Sequence, residues 1–193
     1  AAGKKLSQAR RKAAPKLETL VRRHLSDLGF AQAGFSMAFE DLADPSPEGF
    51  EHIEFLFSPN PGEPERPLRA IASSGEISRV MLALKTSLAA QDSVPILIFD
   101  EIDANVGGEI GAKVGLKMKE LSTSHQVFCI THLPQVAASA ESQFIVSKES
   151  DGTRTRTLLE GTHAAGRITE IARMLGGPAE TAKKHARTLL GVK

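Results

Sequence analysis

Apolar residues recur at helical spacing at Leu17, Leu20, Val21, Leu25 and Leu28, and Gly29 is a natural stop. Leu6, Ala9 and Ala13 carry the stripe towards the N-terminus, where Pro15 predicts a kink or a fresh first turn. Phe35 to Phe39 alternates like a strand and Ile53 to Phe57 reads as its partner. Between them Asp44-Pro45-Ser46-Pro47-Glu48-Gly49 is turn chemistry, so a hairpin is expected. Ser58 to Pro67, with Pro59, Pro61, Pro64 and Gly62, predicts an irregular loop. Ile77, Val80, Met81, Leu84 and Leu88 then mark one face of a helix reaching about Ala90, and Ser73 with Glu76 forms a capping box at its start. Gly75 lets an anion approach the free amides there, although an ordinary N-cap explains the same residues.

Ile96-Leu97-Ile98-Phe99 is apolar without alternation, as in a strand buried on both faces, and Asp100-Glu101-Ile102-Asp103 follows where the chain leaves the sheet. Ligands bind at the carboxyl ends of strands in open α/β sheets, and an Asp and Glu there can hold Mg²⁺ and polarise water. Solvated acids ending a buried strand are the plainer alternative. Gly107-Gly108 precedes a helix through Ile110, Val114, Met118 and Leu121. Gln126 to Ile130 is a second buried strand, ending at Thr131-His132, and Pro134 opens a short helix. Phe144 to Val146 and Thr155 to Leu159 are expected strands around a turn at Asp151-Gly152. Two helices close the chain, one through Ile168, Ile171, Ala172 and Leu175 and one through Ala182, Ala186, Leu189 and Leu190.

Composition narrows the picture. There are 193 residues, 41% hydrophobic and 24% charged, enough for one sizeable core with a helical appendage. No apolar run approaches the roughly 18 residues of a membrane span, which favours a cytoplasmic protein without a membrane partner. The single Cys129, among Val127, Phe128 and Ile130, reads as a small buried hydrophobe. His24, His52, His125, His163 and His185 have no companion pattern, and no His/Cys cluster has zinc-like spacing. Net charge is +1, yet Lys4, Lys5, Arg10, Arg11, Lys12, Lys16, Arg22 and Arg23 face the single acid Glu18 in the first helix. Such a segment suits a phosphate backbone or a solvated helix face.

The order of these features resembles the C-terminal lobe of an ABC-type ATPase head: Ser73-Ser74-Gly75-Glu76 as signature motif, Ile96 to Glu101 as Walker B, Asp103 in the D-loop and His132 as switch histidine. More narrowly, Ala72 to Lys85, Phe99 to Asp103, Thr131-His132-Leu133-Pro134-Gln135-Val136-Ala137 and Glu170 to Gly177 are similar to the RecN family, bacterial DNA repair proteins of the SMC-like group. The resemblance implies an α/β fold, a mainly parallel central sheet flanked by helices. Residues 1–29 would be the root of a coiled-coil helix and 30–193 the C-terminal lobe of the head. It further implies ATP and Mg²⁺ as cofactors, with Asp100 orienting the metal, Glu101 polarising the attacking water and His132 contacting the γ-phosphate. Ser73, Ser74, Gly75, Glu76 and Asp103 would face ATP mainly across a head dimer. The implied partners are the N-terminal lobe of the same protein, a second head and DNA, and the implied setting is the nucleoid.

The sequence departs from that pattern twice. It contains no G-x-x-x-x-G-K-[ST] phosphate loop, so the chain reads as part of a longer protein and is expected, alone, neither to bind ATP tightly nor to hydrolyse it. Ser74 also stands where the family pattern has Gly. The rival readings are an ATPase subunit of a transporter and a structural, partner-binding head without turnover.

Overall fold

The computed structural model describes residues 2–150, 152 and 154–192. The first helix, α1 (Ala2–Asp27), runs as one element through Pro15. A proline inside a helix costs about 3 kcal/mol, and here contacts on both sides of it offset that cost. Before it, Arg10 donates to the Glu48 carbonyl at 2.8 Å and Arg11 reaches Asp41 at 2.9 Å. After it, Glu18 accepts from the Met37 N–H at 2.9 Å and Arg22 donates to the Phe35 carbonyl at 3.0 Å. Val21 and Leu25 are fully buried, as is Leu28 just beyond the helix. Gly29, at φ 94°, then takes the left-handed conformation that ends the helix.

The hairpin against which α1 lies consists of β1 (Gly34–Ser46) and β2 (Gly49–Ser58), antiparallel with Phe35 opposite Phe57. β1 continues into the expected turn segment; its register shifts between Asp41 and Ser46, leaving Pro47 and Glu48 to turn the chain. The Pro-rich loop ends in a two-residue edge strand, β3 (Arg66–Pro67), paired with β2, a position where proline is tolerated. A 3₁₀ turn at Leu68–Ala70 leads to α2 (Ser74–Ser87). Its buried face is Gly75, Arg79, Val80, Leu82, Ala83 and Leu84. Met81 is exposed, so the helix is rotated from the face that its hydrophobic spacing predicts.

β4 (Ile96–Phe99) and β5 (Gln126–Cys129) form a parallel pair in which Phe99 lies opposite Cys129. Between them runs α3 (Gly108–Leu121), and α4 (Pro134–Ser139) follows β5. Leu97 and Phe99 pack with Val80, Ala83 and Leu84 of α2 and Val114, Met118 and Leu121 of α3. The expectation that β4 is buried on both faces is corrected: Ile96, Ile98, Phe128 and Ile130 are exposed, Ile98 at 69%. This small sheet is thus covered by helices on one side and open on an apolar face. The rest of the strands are antiparallel, including the hairpin β6 (Gln143–Ser150) and β7 (Thr155–Thr162). Of the expected turn Asp151-Gly152, Asp151 lies outside the described residues. A second apolar cluster joins Ala137 of α4 to Ile171 and Ala172 of α5 (Ala165–Met174) and Ala186 of α6 (Glu180–Leu190).

Candidate functional site

The parallel pairing places the ends of β4 and β5 side by side, since the Ile130 N–H donates to the Phe99 carbonyl at 2.9 Å. Asp100 and Glu101 leave one strand and Thr131 and His132 the other, all at the carboxyl edge. The N-terminus of α2 lies against the same edge. Ser73 caps it by accepting from the Glu76 N–H at 3.3 Å, as the capping box predicts.

Four neighbouring positions of α2 touch the segment 100–104. The Ser74 hydroxyl donates to the Glu101 carboxylate. Gly75 sits so close that an added Cβ would lie 3.1 Å from the Glu101 carbonyl oxygen and 3.0 Å from the Ala104 side chain. Ser78 donates to the Asp100 carbonyl at 2.9 Å. Arg79 donates to the carbonyls of Ile102 and Ala104 at 3.3 and 3.1 Å. Its guanidinium lies 4.9 Å from the Phe30 ring centroid, and burial pulls it below its usual pKa. Glu101 itself has φ 55°, a left-handed conformation that costs a non-glycine residue of order 1–3 kcal/mol. The turn that holds it is closed by the Ala104 N–H donating to the Glu101 carbonyl at 2.9 Å.

Beyond Glu101 the chain turns inward. Ile102 is fully buried in the main core and Asp103 is 1% exposed. Asp103 Oδ2 accepts from the main-chain N–H groups of His132 and Leu133 at 3.0 and 3.1 Å and from the Thr131 hydroxyl. The same oxygen lies 3.3 Å from Nδ1 of His132, whose side chain is 71% exposed.

The structure therefore brings together Ser74 with Glu101, and Asp103 with His132, around one sheet edge. Asp100 is exposed, and its carboxylate has no hydrogen-bond or ion-pair partner among the described residues. No group of three or more His, Cys, Asp or Glu is placed to hold a metal there among the described residues. Two surface cavities, one lined by Arg11, Phe50 and Glu51 and another by Phe55, Leu68 and Leu84, lie away from this edge. The contacts of Ser78 and Arg79 escape a reading from the sequence. The one available signal is a cation four residues after Gly75 on the inward face of an apolar helix.

No protein-family model matches the chain. It is similar to proteins named DNA repair protein RecN, with 45% identity to that of Treponema pallidum over 98% of this chain and 34% of the relative. The corresponding values are 40%, 96% and 35% for Streptomyces coelicolor and 36%, 96% and 35% for Bacillus subtilis. The chain spans about a third of the length of these curated relatives. Among solved structures it is similar to the Smc head domain with a coiled coil and joint from Pyrococcus yayanosii, with a TM-score of 0.59 and 20% identity over 81% of this chain and 28% of that one. It is also similar to a chain from work on ATP-driven dimerization and DNA-stimulated activation of SMC ATPases, with a TM-score of 0.52 and 20% identity over 90% and 99% of the two chains. The fold is that of the solved SMC head domains, and the sequence is similar to about a third of the length of proteins named DNA repair protein RecN.

Proposed function

We propose that this chain supplies the signature and Walker B half of an SMC-like ATPase head acting in DNA double-strand break repair and recombination. The observation that carries the reading is the shared edge: Asp100 and Glu101 at the end of β4, His132 at the end of β5, and the start of α2 held against them. The names of the relatives favour this over a transporter subunit.

The residues fit their proposed tasks by their chemistry. Asp100, exposed and unpaired, suits Mg²⁺, which prefers one or two carboxylates together with phosphate oxygens and water over an all-protein cage. Bound with ATP, that ion neutralises charge on the phosphates. Glu101 presents its carboxylate to solvent beside Asp100 and orients the attacking water. The outward ring of His132 meets the γ-phosphate. Ser73, Ser74 and Gly75 offer the amides of a helix N-terminus to ATP held by a second head, with Glu76 beside them, while Asp103 is turned inward against the Thr131–Leu133 turn of its own chain. Catalysis by such an arrangement is positioning and charge stabilisation.

The open apolar face of Ile96, Ile98, Phe128 and Ile130 seats the N-terminal lobe, which brings the phosphate loop that this sequence lacks. Residues 1–29 form the root of a coiled coil and 30–193 the lobe. Arg10, Arg11 and Arg22 are bound to the β1–β2 hairpin or to Glu18, whereas Lys4, Lys5, Lys12, Lys16 and Arg23 have no hydrogen-bond or ion-pair partner among the described residues. These five cations are the contact offered to DNA. No described helix is long and apolar enough to cross a membrane, and a DNA substrate places the protein in the cytoplasm, at the nucleoid. Mixing this chain with the phosphate-loop lobe and measuring ATP hydrolysis with and without DNA tests the reading. Turnover that needs both parts and is lost in Glu101→Gln is the expected result; turnover by this chain alone, or none from the mixture, would overturn it.

A further inference from the structure

We infer that Asp103 is a positioning residue for His132 of its own chain, fixing the switch loop and the direction of the imidazole. The inference rests on the reading of His132 as the γ-phosphate contact. A carboxylate that is 1% exposed survives burial only if its lone pairs are used. Asp103 has no Lys or Arg partner among the described residues, and a single turn, Thr131 to Leu133, meets that need. Two main-chain N–H groups and a hydroxyl converge on Oδ2, and the Thr131 oxygen also accepts from the Leu133 N–H at 3.0 Å.

The consequence for the ring follows from its two nitrogens. Nδ1 lies 3.3 Å from the buried carboxylate while most of the side chain faces solvent. A carboxylate beside Nδ1 keeps the proton on that nitrogen and sets the ring's orientation, so Nε2 is the atom presented outwards. The glycines of α3 also bring α4 close behind the loop. A Cβ on Gly111 would lie 2.8 Å from Leu133 Cδ1, and one on Gly108 2.7 Å from the Gln135 amide nitrogen. Asp103, drawn inward and occupied by its own chain, thus acts on nucleotide through His132.

The test has two arms. On this chain, ¹⁵N spectra of the His132 ring, assigned against His132→Ala, should show the proton on Nδ1, and Asp103→Asn should move it towards Nε2. In the head reassembled with the phosphate-loop lobe, Asp103→Asn should lower kcat about tenfold or more while KM for ATP moves less than about twofold. The double variant Asp103→Asn/His132→Ala should be no slower than His132→Ala alone, because one residue acts through the other. If the melting curve shows that Asp103→Asn is unfolded, Asp103→Glu takes its place, keeping the charge but moving the oxygen by one methylene. An unmoved ring, or losses that multiply in the double variant, overturns the inference even if Glu101→Gln abolishes turnover. Should Glu101→Gln and His132→Ala both leave turnover intact, the nucleotide reading falls instead. The ring spectra then decide alone whether Asp103 holds His132.

Discussion

Replacing Gly75 with Ala tests whether the spacing between α2 and the segment 100–104 matters for function. The new methyl would lie 3.0 Å from the Ala104 Cβ and 3.1 and 3.2 Å from the carbonyl oxygens of Glu101 and Ala104. Two of these neighbours are main chain and the third is a Cβ, so none can rotate away. The helix start and the turn must separate by a few tenths of an ångström. Overpacking of this kind costs about 1–3 kcal/mol, while Ala in place of Gly in a helix gains about 0.5–1 kcal/mol. The net loss is about 1 kcal/mol, which for a chain of this length lowers Tm by about 2–4 °C. The functional loss should be larger. The same separation stretches the contact of Ser78 with Asp100, and misplacement of 1 Å costs about a hundredfold in rate. We expect kcat of the reassembled head to fall about tenfold or more, measured beside a thermal melt. Gly161→Ala is the control, because its Cβ would meet nothing closer than the Phe144 ring at 3.7 Å. If Gly75→Ala melts as expected yet keeps kcat within about twofold of wild type, the close approach has no bearing on catalysis.

Ser74→Gly removes the hydroxyl that engages Glu101 and should leave hydrolysis by the reassembled head unchanged or raised; a severe loss would show that the serine is used in turnover. Burial, reinforced by the charge of Lys117, holds the His24 imidazole below its ordinary value of 6.5. The unfolded chain therefore takes up a proton that the folded chain refuses, and stability declines as pH falls from about 6.5. Chemical denaturation between about pH 7 and pH 5 should show a shallower decline for His24→Gln, and an equal decline would refute the assignment. The Cys129 thiol is pushed up to about 12 by burial and then by Asp103 and Asp100, so alkylation at pH about 8 should be slow in the folded chain and fast in denaturant. Equal rates in the two states would contradict this.

Much of the site was legible because its parts are local. The Ser73–Glu76 cap, the apolar run ending in Asp100-Glu101 and the Thr131-His132 strand end each announce themselves within a few residues. What the sequence could not reveal depends on residues far apart along the chain. The run Ile96 to Phe99 says that both faces of β4 are apolar, but not that Ile96 and Ile98 lie open here. The burial of Asp103 is set by N–H groups of a turn about thirty residues later, and main-chain donors leave no trace in residue identity. Helix α1 passes through Pro15 and β1 runs through Pro45 for a similar reason. Ion pairs and strand register made across the molecule outweigh the local preference.

Arg79 explains why these distant pieces hold together. A buried guanidinium is costly, and its Nε has no partner, so packing alone would favour an apolar residue at this position. Its Nη1 instead donates to two carbonyls, those of Ile102 and Ala104, on either side of Asp103. A lysine ammonium, with no fixed plane, would not set that spacing. The flat face of the same group rests on Phe30, which stands edge-on to Phe57 of β2 with ring centroids 5.2 Å apart. One side chain therefore fixes α2, the loop after α1 and the hairpin relative to the turn that carries Glu101 and Asp103. The edge proposed to be catalytic is held from behind by that cation, and from above by the close approach that Gly75 permits.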